Sequence, residues 1–331
     1  METALTRHLD IELPVICGAM YPCSNPELVA ATSAAGGMGV FQPISLTFVH
    51  GHDFLEGIRL MKGLANGRPI GMNALIEASS RTYHERMVRW VHLALEEGVR
   101  FFVTSLGNPR WVADAVHAAG GVVYHDVTEL KWGQKGLDAG VDGLIAVNRR
   151  AGGHAGSRLA PALLEELAPL GLPVICAGGL STGADVAEAI GMGYAGVQMG
   201  TRFIATPECT AHERYKAAIV AATEDDIVLT ERLTGVPVAV INTPYIERMG
   251  LRVGTFARWM FRGRKTRHWM RSFYGLRSIL LLKASNRRGD ADRDYWQAGR
   301  SVAGITSIRS VADILDDVRT AFRTSQHEVT R

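Results

Sequence analysis

Two short glycine motifs carry the clearest chemical signal in the sequence. Ala177-Gly178-Gly179 closes one apolar run and Met199-Gly200-Thr201 closes the next. Glycines at such ends let backbone N–H groups approach an anion closely, and the Thr201 hydroxyl adds a further donor, so the pair reads as a phosphate cradle. The plainer alternative is two tight turns. Ala151-Gly152-Gly153-His154-Ala155-Gly156 is a second signal. A His ringed by glycines is badly suited to a core. It fits a loop in which a flat ligand lies against backbone while the imidazole faces a reacting atom, to hydrogen bond or to move a proton near neutral pH; an exposed loop His is the alternative. Asn73 ends Ile70-Gly71-Met72-Asn73. Its amide can donate to and accept from a ring edge, or serve a turn. His125-Asp126 could supply a general base, but adjacent strand residues point to opposite faces, so only one of the two can face a site.

These residues share a position, since each follows a short apolar run. The runs are residues 14–17, 38–42, 69–73, 100–104, 121–125, 143–147, 173–177 and 196–199, eight in all. Helix-period stretches follow them at 26–35, 54–64, 81–97, 110–119, 129–139, 162–170, 184–191 and 211–222. Ser24-Asn25-Pro26-Glu27 has a capping residue and a first-turn Pro, and Gly98, Gly120 and Gly140 stand where helices should stop. The runs are continuous rather than alternating, as in strands buried on both faces. Eight strand-then-helix units predict an α/β fold, a TIM (β/α)8 barrel, over an open doubly wound sheet. Such barrels place their sites at the C-terminal strand ends, with phosphate favoured after the last two strands. The loop after the first run, Gly18-Ala19-Met20-Tyr21, then also lines the mouth. After about residue 222 the pattern breaks. The reading is a barrel over 1–222 and a smaller, mostly helical lid over 223–331 whose end returns to the barrel.

Composition excludes several classes. With 331 residues, 47% hydrophobic and 21% charged, the chain can build a large core and is not disordered. Its four cysteines form no C-x-x-C and no zinc spacing; Cys17 and Cys176 lie in strand-like runs and read as buried thiols. No metal site is expected. No apolar stretch approaches transmembrane length and the N-terminus lacks a signal-peptide core, so a cytoplasmic protein is expected. There is no G-x-x-x-x-G-K-[ST] and no G-x-S-x-G, and Gly36-Gly37-Met38-Gly39 precedes a strand rather than opening a helix. Net charge is only +3, but residues 248–288 hold twelve Lys and Arg and no Asp or Glu, leaving 24 basic against 33 acidic residues elsewhere. That asymmetry points to an anionic partner. No nucleic-acid module accompanies it. Trp259, Trp269 and Phe273 within the segment also suit peripheral membrane attachment.

Taken in order, Pro14-Val15-Ile16-Cys17-Gly18-Ala19-Met20, Gly71-Met72-Asn73, Ala151 to Gly156, Ala177-Gly178-Gly179 and Gly200-Thr201-Arg202-Phe203 resemble the nitronate monooxygenase (2-nitropropane dioxygenase) family, related to FMN-dependent enoyl-acyl-carrier-protein reductases. The resemblance spans roughly residues 10–245 and, faintly, 299–305. It implies non-covalent FMN, with the phosphate on Gly178, Gly179, Gly200 and Thr201. The flavin ring would lie near Gly18, Ala19, Met20, Asn73, Asp126, Ala177 and the Gly152-Gly153 turn. It implies His154 as the active-site residue; Tyr21 and His125, which follow the first and fifth runs, are candidate substrate contacts from their strand-end positions. Some relatives carry Lys at the strand-5 end, where this chain has His125-Asp126-Val127, and an Asp near the flavin would not stabilise an anionic reduced ring as Lys would. The first activity implied is oxidation of alkyl nitronates with O2. The alternatives are reduction or dehydrogenation of an acyl thioester and NAD(P)H:quinone reduction. CoA phosphates or an acidic acyl carrier protein would suit Arg262, Arg264 and Lys265, because Arg pairs phosphate bidentately.

Overall fold

The computed structural model describes residues 2–77, 80–254, 278, 280–286 and 288–329. Eight strands form a closed parallel barrel in chain order: β1 (Val15–Cys17), β2 (Met38–Phe41), β3 (Ile70–Ile76), β4 (Phe101–Leu106), β5 (Val122–Val127), β6 (Gly143–Val147), β7 (Val174–Ala177) and β8 (Gly196–Met199). The helices between them are α2 (Pro26–Ala34), α3 (Phe54–Leu64), α4 (Arg81–Glu96), α5 (Arg110–Ala118), α6 (Leu130–Asp138), α7 (Ala160–Leu167) and α8 (Gly183–Gly191), with α1 (Ala4–Leu9) preceding β1.

The apolar runs are continuous because each strand is buried twice. Ile16, Met38, Val40, Phe101, Val103, Tyr124, Ile145 and Ile175 form one buried cluster inside the barrel, and Leu5 and Leu9 of α1 join it. The alternating residues, among them Val15, Cys17, Phe41, Met72 and Phe102, belong to a second core shared with the helices. Tyr124 is fully buried and its hydroxyl pairs with His8 Nδ1 at 3.0 Å, so the one polar atom on a large interior side chain is satisfied. Gly98, Gly120 and Gly140 take positive φ at the helix ends, as the sequence predicts.

β8 runs into a four-residue helix, α9 (Thr201–Ile204), and then α10 (Glu213–Ala221). The next stretch departs from the expected helical lid. Ile227–Thr230 (β9) and Val238–Ile241 (β10) pair antiparallel. Both are rich in β-branched residues, and the turn-forming Thr234-Gly235-Val236-Pro237 lies between them, which favours a hairpin over a helix. The hairpin is stitched to the barrel by a bridge from Ala239 to Gly153 and to the chain end by one from Val240 to Gln297. After α11 (Pro244–Met249), residues Leu282 and Tyr295 join Leu233, Val238, Val240 and Ile246 in a small separate core. The C-terminal helix (Val311–Val329) returns to the barrel wall, burying Val311, Leu315 and Val318 in the main core. Arg262, Arg264, Lys265, Trp259, Trp269 and Phe273 lie outside the described residues. At the borders of the cationic segment, Arg248 pairs with Asp292 at 3.1 Å and Arg288 with the buried Asp294 at 2.8 Å.

The docking of the C-terminal helix depends on close backbone approach. A Cβ at Gly183, the first residue of α8, would lie 2.4 Å from the Asp317 carbonyl oxygen. Gly183→Ala is therefore expected to cost about 1–3 kcal/mol and to speed proteolysis within the C-terminal helix. Urea unfolding and limited trypsin digestion measure this; an unchanged midpoint would contradict the packing described.

Candidate functional site

The strand pleat decides which predicted residues meet. On β5, Tyr124 points into the barrel, so His125 points out and Asp126 points in. His125 is fully buried between sheet and helices: it pairs with Thr104 Oγ1 at 2.9 Å, and its Cδ2 lies 3.5 Å from where a Gly136 Cβ on α6 would stand. It therefore does not reach the mouth, which corrects its reading as a substrate contact. Burial depresses its pKa to about 4. Asp126 faces inward beside Ile145 in register. Asn73 is in register with the interior Val103, and Gln198 of β8 with the interior Ile16. Asn73, Asp126 and Gln198 thus form a polar floor at the C-terminal end of an otherwise apolar barrel. Burial raises the Asp126 carboxyl to about 7, the neighbouring Gln198 amide opposes that rise, and Oδ1 has no hydrogen-bond partner.

The glycine motifs flank this floor. Gly178 and Gly179 have φ of +113° and +82°, and a Cβ would lie 2.5 Å from Ala151 N at the first and 2.6 Å from Arg150 Nε at the second. Only glycine allows both the turn and this approach of the β6 loop. Asn148 locks the two loops together, its Nδ2 donating to Gly178 O at 2.9 Å and its Oδ1 accepting from Arg150 N at 2.8 Å. The tail closes the third side: Gly299 N donates to Thr201 Oγ1 at 3.0 Å and Arg300 N to Arg150 O at 2.9 Å. Among the described residues, the backbone N–H groups of Gly178, Gly179, Gly200 and Thr201 have no hydrogen-bond partner. Free N–H donors on adjacent strand ends, in loops kept open by glycine, are what an anion such as phosphate requires. Arg202 is not part of this cradle. It is buried, donates to Ala205 O and Ser307 O at 2.7 and 2.8 Å, and holds the chain end; burial lowers its pKa to about 10.

His154 stands on the β6 loop, which the hairpin grips through paired backbone bonds between Gly153 and Ala239 at 2.8 and 3.3 Å. Its ring is open to water yet surrounded by protein, with Nε2 3.2 Å from Thr234 Oγ1, and that desolvation lowers its pKa. Neutral imidazole is thus favoured near pH 7. Gly152 abuts Ala298 and Gly299, so a Cβ there would meet Gly299 N at 2.9 Å. Opposite, Gly18 abuts the Gln198 side chain, and Met20 reaches across to Gly200, whose Cβ position lies 3.3 Å from Met20 Sδ. Ala19 packs on the interior cluster and Ala177 belongs to it. Tyr21 packs against the small core around β10, and burial raises its pKa to about 12. Gln198 and Thr234 escape the sequence reading as site residues, while Asn148, which opens the loop after the sixth run, and Gly299, which opens the faint tail resemblance, carry no role in it. Alternation along β8 turns Gln198 inward but does not single it out, and Gly299 has only the faint resemblance over 299–305 to mark it.

A closed parallel barrel of eight strands ringed by helices, with glycine loops and a histidine loop at its C-terminal mouth, defines a TIM-barrel protein. The chain belongs to the nitronate monooxygenase family, whose model matches residues 2–320, and it is by that membership a flavin oxidoreductase. It is 31% identical, over 96% of its length and 92% of the relative, to (3aS,4S,5R,7aS)-5-hydroxy-7a-methyl-1-oxo-octahydro-1H-indene-4-carboxyl-CoA dehydrogenase of Mycobacterium tuberculosis. A probable nitronate monooxygenase of Staphylococcus aureus is 27% identical over 74% of this chain and 79% of that protein. Among solved structures, FabK from Thermotoga maritima superposes with a TM-score of 0.79 and 26% identity, covering 100% of this chain and 99% of that one. No helix among the described residues is long and apolar enough to cross a membrane.

The outward His125 makes a pH prediction. Its folded pKa lies below the ordinary value of 6.5, so its contribution to stability is full above pH 6.5 and is lost as pH falls toward 4. The stability advantage of the native chain over His125→Gln, measured by urea unfolding, is expected to shrink from pH 7 to pH 4.5. A constant difference would mean that His125 is not buried in its neutral form.

Proposed function

We propose that the protein is an FMN-dependent oxidoreductase acting on a CoA-linked acyl thioester. The cradle supports FMN, since Gly178, Gly179, Gly200 and Thr201 offer unpartnered N–H donors for its phosphate. The polar floor of Asn73, Asp126 and Gln198 suits the hydrogen-bonding edge of the ring, and Ala19, Met20 and Gly152 leave its faces apolar and close to backbone. When bound, FMN supplies hydride acceptance and donation. His154 handles the accompanying proton: its depressed pKa leaves the imidazole neutral and able to accept one, and the Thr234 hydroxyl orients Nε2. Gly153, held by Ala239, keeps that loop in place against the hairpin.

The thioester reading is carried by one observation: the M. tuberculosis relative named for a carboxyl-CoA substrate, and a second of that name from Rhodococcus jostii at 26% identity, each align along 96% of the chain. The cationic stretch supports it, because Arg262, Arg264 and Lys265 can pair CoA phosphates, which a small nitronate does not need. Nitronate oxidation is the second reading, favoured by the family model and the S. aureus relative. In it His154 binds the nitronate and no nucleotide handle is used.

Anaerobic visible titration of the flavin-loaded protein separates the two. An acyl-CoA, or NADH followed by an enoyl-CoA, is expected to change the flavin absorbance; bleaching by propionate-3-nitronate alone would contradict the thioester reading. His154→Ala is expected to keep flavin and lose about 10²–10⁴-fold in turnover. Replacing Arg262, Arg264 and Lys265 together by Gln is expected to raise KM for the CoA substrate with kcat nearly kept, in a salt-dependent manner. An unchanged KM would leave the cationic stretch without this role.

A further inference from the structure

The polar floor holds a carboxyl group to which the proposed chemistry gives a place beside the ring edge but no protonation state. Asp126 is brought inward by the β5 pleat, one residue beyond a histidine that is turned away. Its Oδ1 is buried and has no hydrogen-bond partner, and the Gln198 amide of β8 is the neighbour that favours its ionised form. A carboxylate with one buried, unpaired oxygen and no cation is costly; the same group carrying a proton on that oxygen is less so. The surroundings supply no cation. From β5 itself, His125 faces α6 and Tyr124 reaches down to His8. From β8 comes only the neutral Gln198, and from β3 the neutral Asn73. On β6 and its loop, Ile145 is apolar, Arg150 is paired with Glu224, and His154 is bonded to Thr234. Among the described residues burial and Gln198 are thus the whole environment of the group.

We propose that Asp126 is a flavin-tuning residue: an uncharged carboxylic acid, braced by Gln198, whose free oxygen carries a proton toward the bound isoalloxazine and makes the stability of reduced flavin depend on pH. The inference rests on the FMN reading above. It corrects the expectation that an Asp here would not stabilise the anionic reduced ring as Lys would. Protonated, Asp126 is a hydrogen-bond donor to developing negative charge, as Lys would be; ionised, it repels that charge. A burial-raised carboxyl places the change near neutral pH.

The test compares wild type with Asp126→Asn, which keeps shape and hydrogen bonding but cannot ionise. The midpoint potential of the bound flavin is measured by dye-linked photoreduction from pH 5.5 to 9. The two proteins are expected to run together at low pH and to diverge above about pH 7, wild type binding reduced flavin roughly tenfold more weakly than the variant by one pH unit past the crossover. Gln198→Met, which removes the only donor to the ionised form, is expected to move the crossover upward. Parallel profiles across the range would overturn the proposal. A readout without flavin keeps it separable from the FMN reading. In apo-protein a carboxyl whose folded pKa is raised stabilises below its ordinary value of 3.8 and loses that contribution as pH rises toward 7. Asp126→Asn should therefore gain stability relative to wild type between pH 4 and 7. No such gain would mean that Asp126 is ionised throughout and the proposal fails, whether or not flavin binds.

Discussion

The organisation of the mouth follows from backbone N–H groups that the protein leaves unpaired. Gly178, Gly179, Gly200 and Thr201 present donors from two adjacent strand ends, and everything around them keeps those donors open. Asn148 spends its amide on fastening the β6 and β7 loops to each other. Thr201 gives its hydroxyl oxygen to Gly299 rather than to its own helix. The tail reaches the barrel here because Gly299 has no side chain: a Cβ would lie 2.6 Å from Arg150 O and from Gly152 N. A loop network of this kind binds an anion without a fixed cation, since aligned amide dipoles carry the positive charge.

The second organising constraint is the period of two along each strand. It turns one neighbour of a dipeptide into structure and the other into chemistry. His125 becomes a neutral core residue tied to Thr104, and Asp126 becomes part of the floor beside Asn73 and Gln198. Burial moves these two groups in opposite directions, the histidine down and the carboxyl up, because it disfavours whichever form is charged. The same logic separates Arg202 from the cradle it adjoins. Its guanidinium is spent on carbonyl oxygens of residues 205 and 307, so it anchors the chain end.

Most of the barrel was legible in the sequence. Eight continuous apolar runs, each followed by a helical stretch, correspond to eight strands in order, because a strand covered on both faces has no reason to alternate. The glycine motifs and His154 stand on the predicted loops for the same reason. Four kinds of feature were not legible. The direction of His125 needed the register of β5 against its neighbours. Gln198 looked like an ordinary strand residue until Gly18 was seen to make room for it. Thr234 and Gly299 are 80 and 98 residues from the partners they serve, His154 and Thr201, and no local pattern encodes such contacts. The hairpin of β9 and β10 was masked by its turn-rich loop, which read as the end of order.

The central claim is that a phosphate-bearing flavin is held through the cradle after β7 and β8. Fluorescence quenching titrations of apo-protein with FMN and with riboflavin test it directly, because the two ligands share the ring and differ only in the phosphate. The account predicts that FMN binds at least about a hundredfold more tightly, the scale of two charge-assisted hydrogen bonds. Equal affinities, or no quenching by either, would contradict it.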